Sequence, residues 1–236
     1  MATIVEKFFD SKDALTAELS TTLEQSLVSG IEADGRAVLM VSGGSSPAPA
    51  YKHLSNLALD WAKIDVAMVD ERWVDVAHEK SNEAFIKSTL LQNHGAAANF
   101  ITMKNNAETA QQGSAECEAA YQQLKRPFDV TILGMGPDGH TASLFPHAGG
   151  LQQGLETSQL VCAINAIESE VTGNITERMT LTLAAIAQSK VVKLLISGEE
   201  KLAVYKAAKA GGDENDMPLR AVLNHPTINI EVYWAP

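Results

Sequence analysis

Ala37-Val38-Leu39-Met40-Val41-Ser42-Gly43-Gly44-Ser45-Ser46-Pro47 is a run of five apolar residues that ends in a glycine-serine turn and a proline. Five apolar positions without alternation suit a strand buried on both faces, the environment of a parallel sheet with helices packed on each side. Ser46 ahead of Pro47 reads as an N-cap followed by proline at the first helical position. The same pattern recurs along the chain. Strands are predicted over 37–41, 64–69, 128–133, 160–164, 191–196 and 228–234, and helices over 47–57, 82–91, 108–124, 181–188, 199–209 and 219–223. Ser81, preceding Asn82, Glu83 and the apolar series Phe85, Ile86 and Leu90, marks a second capped helix start. Strands alternating with helices give an α/β, doubly wound fold with a mainly parallel sheet and helices on both faces.

The chain has 236 residues, 45% of them apolar and 20% charged, enough to bury a sizeable core and too apolar for disorder. There is no repeat or low-complexity tract. The polar stretch from Gly211 to Asp216 is too short and too near the end to divide domains, so 1–236 reads as one domain. Eighteen Lys and Arg against 29 Asp and Glu give a formal charge of −11. A field of that sign repels polyphosphate and anionic lipid, so neither nucleic acid nor a membrane is the expected partner. Two cysteines, Cys117 and Cys162, are too few for a disulfide framework and lack zinc-ligand spacing. Met1-Ala2-Thr3-Ile4-Val5-Glu6-Lys7 holds no apolar signal core, and no apolar run approaches the ~20 residues of a membrane span. The expectation is a soluble, cytoplasmic protein, a monomer or small homo-oligomer, acting on a small molecule.

In a doubly wound sheet, ligands bind beyond the carboxyl ends of the strands. Four segments there carry chemistry. Ser42-Gly43-Gly44-Ser45 lets the backbone approach a phosphate and adds hydroxyl donors ahead of a helix start, although it equally fits an ordinary glycine turn; it lacks the Gly-Lys-Ser/Thr ending of a Walker loop. Asp70-Glu71-Arg72-Trp73 places three charges at a strand end. Arg72 is either an anion clamp held by Asp70 or Glu71, or one half of a surface ion pair. Gly134-Met135-Gly136-Pro137-Asp138-Gly139-His140-Thr141 contains the letters of a dinucleotide loop, but Pro137 removes an N–H, Asp138 puts a carboxylate where a pyrophosphate would lie, and the loop sits mid-chain. Its better reading is an Asp138–His140 pair, in which the carboxylate fixes the imidazole tautomer and leaves the other nitrogen as a general base. Fourth come two cations: Arg178, which opens the stretch Arg178-Met179-Thr180-Leu181-Thr182-Leu183, and Lys201, at a predicted strand-to-helix junction. Lys201 lies in the first turn of a helix, where the dipole disfavours it, and a local rule broken in this way points to an anionic ligand or to a solvated lysine.

These residues together resemble the glucosamine-6-phosphate isomerase/6-phosphogluconolactonase superfamily, on its lactonase side. The resemblance rests on Ser42–Ser45, on Asp70-Glu71-Arg72-Trp73 with Ser81-Asn82, on the block from Leu133 to Pro146, on Arg178-Met179-Thr180 and on Gly198-Glu199-Glu200-Lys201, in family order across most of the chain. It implies hydrolysis of 6-phospho-D-glucono-1,5-lactone, the second step of the pentose phosphate pathway, without a metal or organic cofactor. It also implies that His140 is the general base supported by Asp138, with Ser42, Gly43, Gly44, Ser45, Arg72, Thr141, Arg178 and Lys201 as phosphate and substrate contacts and Asp70 and Glu71 as supports. The sibling deaminases resemble a pattern with a tyrosine at the position of Arg72 and a glutamate at that of Phe145; amine loss with isomerisation needs that extra proton shuttle, whereas opening a lactone does not. The remaining alternatives are a non-catalytic sugar-phosphate sensor, which would need a basic helix-turn-helix, and a dehydrogenase resting on the glycine letters alone. The turn 136–139 is the expected source of backbone donors for an oxyanion.

Overall fold

The computed structural model describes residues 3–236, so the expectation for Met1 and Ala2 lies outside the described residues. In chain order the elements are β1 (Thr3–Phe8), α1 (Lys12–Asp34), β2 (Ala37–Val41), α2 (Ala48–Ser55), β3 (Ile64–Met68), β4 (Asp70–Arg72), α3 (Asn82–Thr89), β5 (Asn99–Ile101), α4 (Ala110–Gln122), β6 (Val130–Gly134), α5 (Leu151–Glu156), β7 (Val161–Asn165), β8 (Glu177–Leu181), α6 (Leu183–Ile186), β9 (Val192–Ser197), α7 (Glu199–Lys209), α8 (Leu219–Asn224) and β10 (Asn229–Ala235). Seven strands form one sheet in the order β1-β10-β9-β6-β2-β3-β5, every pair parallel. The doubly wound reading holds, and β2 shows why. Val38 and Met40 pack toward Tyr121 of α4 and Tyr205 of α7, whereas Ala37, Leu39 and Val41 pack toward Leu19, Leu23 and Leu27 of α1 and Tyr51 of α2. Both faces of one strand are core, so its sequence cannot alternate.

Several features depart from the expectation. The segment at 160–164 is a strand, but it belongs to a second, three-stranded antiparallel sheet, β4-β8-β7. The chain leaves β3, and within two residues Asp70–Arg72 pairs with Arg178–Thr180 instead of continuing the large sheet. The helix expected from 181 begins at Leu183, capped by Thr182, because Glu177–Leu181 is committed to that pairing. The longest helix, α1, carries Leu15, Leu19, Leu23 and Leu27 as a single buried stripe. Each buried leucine contributes roughly 2 kcal/mol of apolar transfer. The serines, threonines and charges between them hide the stripe unless the four-residue spacing is counted. Ser46 is not the cap of α2: Pro47 occupies that position, and no side chain caps the helix. Ser81 does cap α3, accepting the Ala84 N–H at 3.2 Å.

The chain order reverses between β2 and its neighbour β6, since β3 and β5 lie on one side of β2 and β6 and β9 on the other. That switch point opens a crevice beyond the carboxyl ends of these strands. At the short edge strand β5, pairing ends at Ile101 opposite Ala67. Met68 would therefore expose its backbone inside the protein, but the Tyr121 hydroxyl accepts the Met68 N–H at 2.9 Å and donates to the Met68 carbonyl at 2.7 Å. Tyr121→Phe leaves both groups buried without a partner. We expect a loss of about 2–3 kcal/mol in denaturant unfolding, with the crevice chemistry unchanged because Tyr121 does not line it.

Candidate active site

The crevice has two adjoining lobes of about 290 and 250 Å³ that share Asp70, Arg72, His140 and Ala142. The loops after β2, β3 and β6 and the first turn of α7 meet there, and β8 closes the second lobe. Larger hollows exist elsewhere, one of about 570 Å³ beside β7, but its one ionisable lining group, Glu177, is occupied in accepting the Ala110 N–H that begins α4.

His140 stands at the junction of the lobes. Its Nδ1 lies 2.6 Å from Asp138 Oδ1, and the same oxygen accepts the His140 backbone N–H at 3.1 Å. The imidazole lies flat against the backbone at Gly136, where any Cβ would collide with the ring and with the Asp138 carboxylate. Glycine is required here for close approach and not for its turn geometry. On another side the ring packs on Phe145, with centroids 4.2 Å apart. Gly139 adopts φ +78°, which lets the chain turn between the aspartate and the histidine. Burial acts to raise the Asp138 carboxyl, but the hydrogen bond and charge of His140 outweigh it and hold the pKa below the usual carboxylate range. With Nδ1 committed to Asp138, Nε2 has no protein partner among the described residues.

The cations gather around this pair. Arg72 and Arg178 are directly opposed in the antiparallel β4–β8 pair. Like charges so placed repel, and nothing in the pairing itself neutralises them. Arg178, buried in the second lobe, donates from Nε to the Ile175 carbonyl and from Nη2 to the Thr172 carbonyl, both at 3.0 Å, and sits 5.5 Å from the Phe145 ring. Burial first, and Arg72 second, push its pKa down to about 10. Arg72 donates from Nη1 to the Lys80 carbonyl at 2.6 Å, and its buried Nε has no partner. Lys201 lines the first lobe; burial lowers its pKa, and it enters no ion pair among the described residues.

Several expected roles change. Neither Asp70 nor Glu71 holds the Arg72 guanidinium. Glu71, fully buried, accepts the backbone N–H groups of Arg72, Asn82 and Glu83 and the Ser81 hydroxyl, so it caps α3. Burial raises its pKa despite those donors. Asp70 accepts the Ser143 hydroxyl at 2.6 Å and the Asn82 amide at 3.1 Å, which ties the loop after β6 to the start of α3. The Thr141 hydroxyl is spent on the Gly134 carbonyl at 2.8 Å and the residue is fully buried, so it is not a substrate contact. Ser42, Gly43 and Gly44 line the crevice, while Ser45 is exposed on the turn outside the lining.

The turn 136–139 is a poor source of oxyanion donors. The Gly136 N–H goes to the His140 carbonyl, the Gly139 N–H to the Gly136 carbonyl and the His140 N–H to Asp138. The start of α2 adds few, since Pro47 and Pro49 have no N–H. The amides of Gly43 and Gly44 bond to nothing among the described residues and are free backbone donors in the crevice. Sequence reasoning missed Asn82, whose amide oxygen lies where a Gly43 Cβ would be, and Ser143; both lay inside recognised segments, but only the folded contacts assign their work.

Among the described residues no group of three His, Cys, Asp or Glu side chains is arranged to hold a metal. No helix among the described residues is long and apolar enough to cross a membrane.

Residues 10–234 match the family model described as glucosamine-6-phosphate isomerases/6-phosphogluconolactonase. A 6-phosphogluconolactonase of Rhizobium meliloti (strain 1021) is 37% identical over 228 residues, 97% of each chain. One from Pseudomonas putida is 36% identical over 232 residues, covering 98% of this chain and 93% of the relative. The crystal structure of a 6-phosphogluconolactonase from Shewanella baltica OS155 superposes with a TM-score of 0.93 at 37% identity, over 99% of this chain and 98% of that one.

The Asp138 pKa provides a test of the pair. In His140→Ala the hydrogen bond and charge of the imidazole are removed while burial still raises it and the backbone donors stay, so its carboxyl should titrate at higher pH than in the unaltered protein, measured by carboxyl-carbon NMR. The sign for stability follows: a carboxyl held low in the fold adds stability above its unfolded pKa and loses it as pH falls through the folded value. An Asp138 titration that did not move in the variant would mean that the imidazole does not support the carboxylate.

Proposed function

The chain belongs to the glucosamine-6-phosphate isomerase/6-phosphogluconolactonase family, and we infer that it is a lactonase hydrolysing 6-phospho-D-glucono-1,5-lactone to 6-phospho-D-gluconate, the lactone-opening step of the pentose phosphate pathway. The observation that carries the mechanism is the Asp138–His140 contact at 2.6 Å inside a crevice whose cations lack carboxylate partners. The phosphate of the substrate is a dianion at neutral pH, and the crevice supplies Lys201, Arg72, Arg178 and the free amides of Gly43 and Gly44 to receive it and the sugar. Anchoring the phosphate turns binding energy into placement of C1 beside the imidazole.

Neutral His140 accepts a proton at Nε2 from water as the water oxygen bonds to C1. The carbonyl π pair moves to oxygen, giving a tetrahedral oxyanion. The C1–ring oxygen bond then breaks, the carbonyl re-forms, and the imidazolium returns its proton to the departing ring oxygen. The product acid ionises to solvent. Asp138 keeps the imidazole in the tautomer that presents Nε2 and stabilises the transient positive charge. No cofactor enters these steps. Phe145 against the imidazole supports hydrolysis over amine loss, because it offers no second proton shuttle beside the ring. The charge of −11 supports a cytoplasmic enzyme that meets neither anionic membrane nor nucleic acid.

His140→Asn should lower kcat by roughly 10²–10⁴-fold, with KM little changed, in an assay fast enough to subtract spontaneous hydrolysis; an unchanged kcat would remove His140 from its role. Lys201→Met should raise KM about tenfold, the equivalent of about 1.4 kcal/mol of lost ground-state binding. A normal KM would put the phosphate elsewhere. Incubation with EDTA should leave the rate unchanged, and glucosamine 6-phosphate should release no ammonia; the opposite results would bring in a metal or the sibling reaction.

A further inference from the structure

The histidine turn is braced from outside the crevice by a segment that the chemistry above does not use. Asp213–Pro218 runs from the end of α7 to the start of α8. Its Met217 side chain lies flat over Gly139, where a Cβ would sit 2.9 Å from Met217 Cε and 3.0 Å from its Cβ. The Leu219 N–H, the first of α8 and without an acceptor in its own helix, donates to the Gly139 carbonyl at 3.0 Å. Beyond the turn, the His147 N–H donates to the Asn215 carbonyl at 3.3 Å, and His147 Nε2 meets Asp216 at 3.1 Å. One short segment thus grips the loop after β6 on either side of His140.

The grip bears on the residue that sets the direction of the imidazole. Gly139 separates Asp138 from His140 at a positive φ that glycine leaves by rotation at little cost. Within the turn such rotation is resisted by three hydrogen bonds, from the Gly139 N–H to the Gly136 carbonyl at 3.1 Å, from the Gly136 N–H to the His140 carbonyl at 3.0 Å and from the His140 N–H to Asp138 at 3.1 Å. Met217 and the Leu219 N–H add packing and a fourth bond from the opposite side. We propose that Met217 is a positioning residue: packed over Gly139, it holds the turn in the one conformation that keeps His140 Nδ1 on Asp138 and Nε2 turned to the substrate. This rests on the lactonase reading for its kinetic consequence but not for its structural one.

The test compares Met217→Ala and Met217→Leu with the unaltered enzyme by steady-state lactone hydrolysis, thermal unfolding and the downfield proton NMR signal of the Nδ1–H that bridges to Asp138. Loss of the packing should misplace the imidazole by a fraction of an ångström, so Met217→Ala is expected to lower kcat about tenfold with KM within about twofold. Its Nδ1–H signal should broaden and move upfield. Leucine, which refills the space over Gly139, should restore both. A signal and kcat unchanged in Met217→Ala would overturn the proposal, and so would a rate falling only in proportion to the folded fraction while the signal of the folded protein stayed put. Should alanine prevent folding, Met217→Val is measured by the same two readouts. An Nδ1–H signal that responds as expected in a protein that never hydrolysed the lactone would leave the brace standing and refute the lactonase reading instead.

Discussion

The imidazole of His140 keeps its direction because a carboxylate, a glycine and an aromatic ring fix it from three sides. Asp138 takes Nδ1, the missing side chain of Gly136 lets the ring lie on the backbone, and Phe145 packs against it. Take away any of these and the remaining chemistry of the crevice loses its focus, since a phosphate cradle alone binds without reacting. The fold serves this arrangement at one place: the switch point between β2 and β6 puts the glycine loop and the histidine turn side by side beyond the ends of two buried strands.

The grip on a dianion proposed for this protein of net charge −11 rests on cations that form no ion pair with its own carboxylates among the described residues. Elsewhere lysines and acids pair freely, as in the cluster of Asp129 with Lys125 and Lys190 and in the buried contact of Lys193 with Glu231. In the crevice, Glu71 is diverted to capping α3 and Asp70 to Ser143 and Asn82, so Arg72, Arg178 and Lys201 form no ion pair among the described residues, although the charges of Asp70 and Glu71 still favour the charged form of Arg178. The opposed arginines of β4 and β8 are held together at a cost in repulsion that an anion placed between them would relieve. Arg178 also pins the Thr172–Ile175 segment by two carbonyls, so the second lobe is shaped by the same side chain that charges it.

What could be read from the sequence divides by range. The buried strand β2 announces itself through a continuous apolar run, and β3, β6, β9 and β10 through apolar runs interrupted by Asp65, Thr131, Lys193 and Glu231; the Asp138–His140 pair is legible because its members are two residues apart. The small antiparallel sheet was not legible, since Asp70–Arg72 is a strand only through pairing with Arg178–Thr180, more than a hundred residues away. The jobs of Glu71 and Thr141 are hidden for a related reason. A polar residue in a functional loop looks like a ligand contact until the groups it satisfies inside the protein are known. Thr141 bonds to the Gly134 carbonyl, and Glu71 to three amides of which two lie beyond a loop of ten residues. Helix α1 was missed because its stripe is one leucine wide.

A crystal structure with 6-phosphogluconate bound tests the account most directly, because the product carries both the phosphate and the former carbonyl carbon. Its C1 carboxylate should lie within hydrogen-bond reach of His140 Nε2, about 2.6–3.2 Å, with the phosphate against Lys201, the arginines or the Gly43–Gly44 amides. A product that filled the crevice with its carboxylate away from the imidazole, or that left the cations empty, would contradict it.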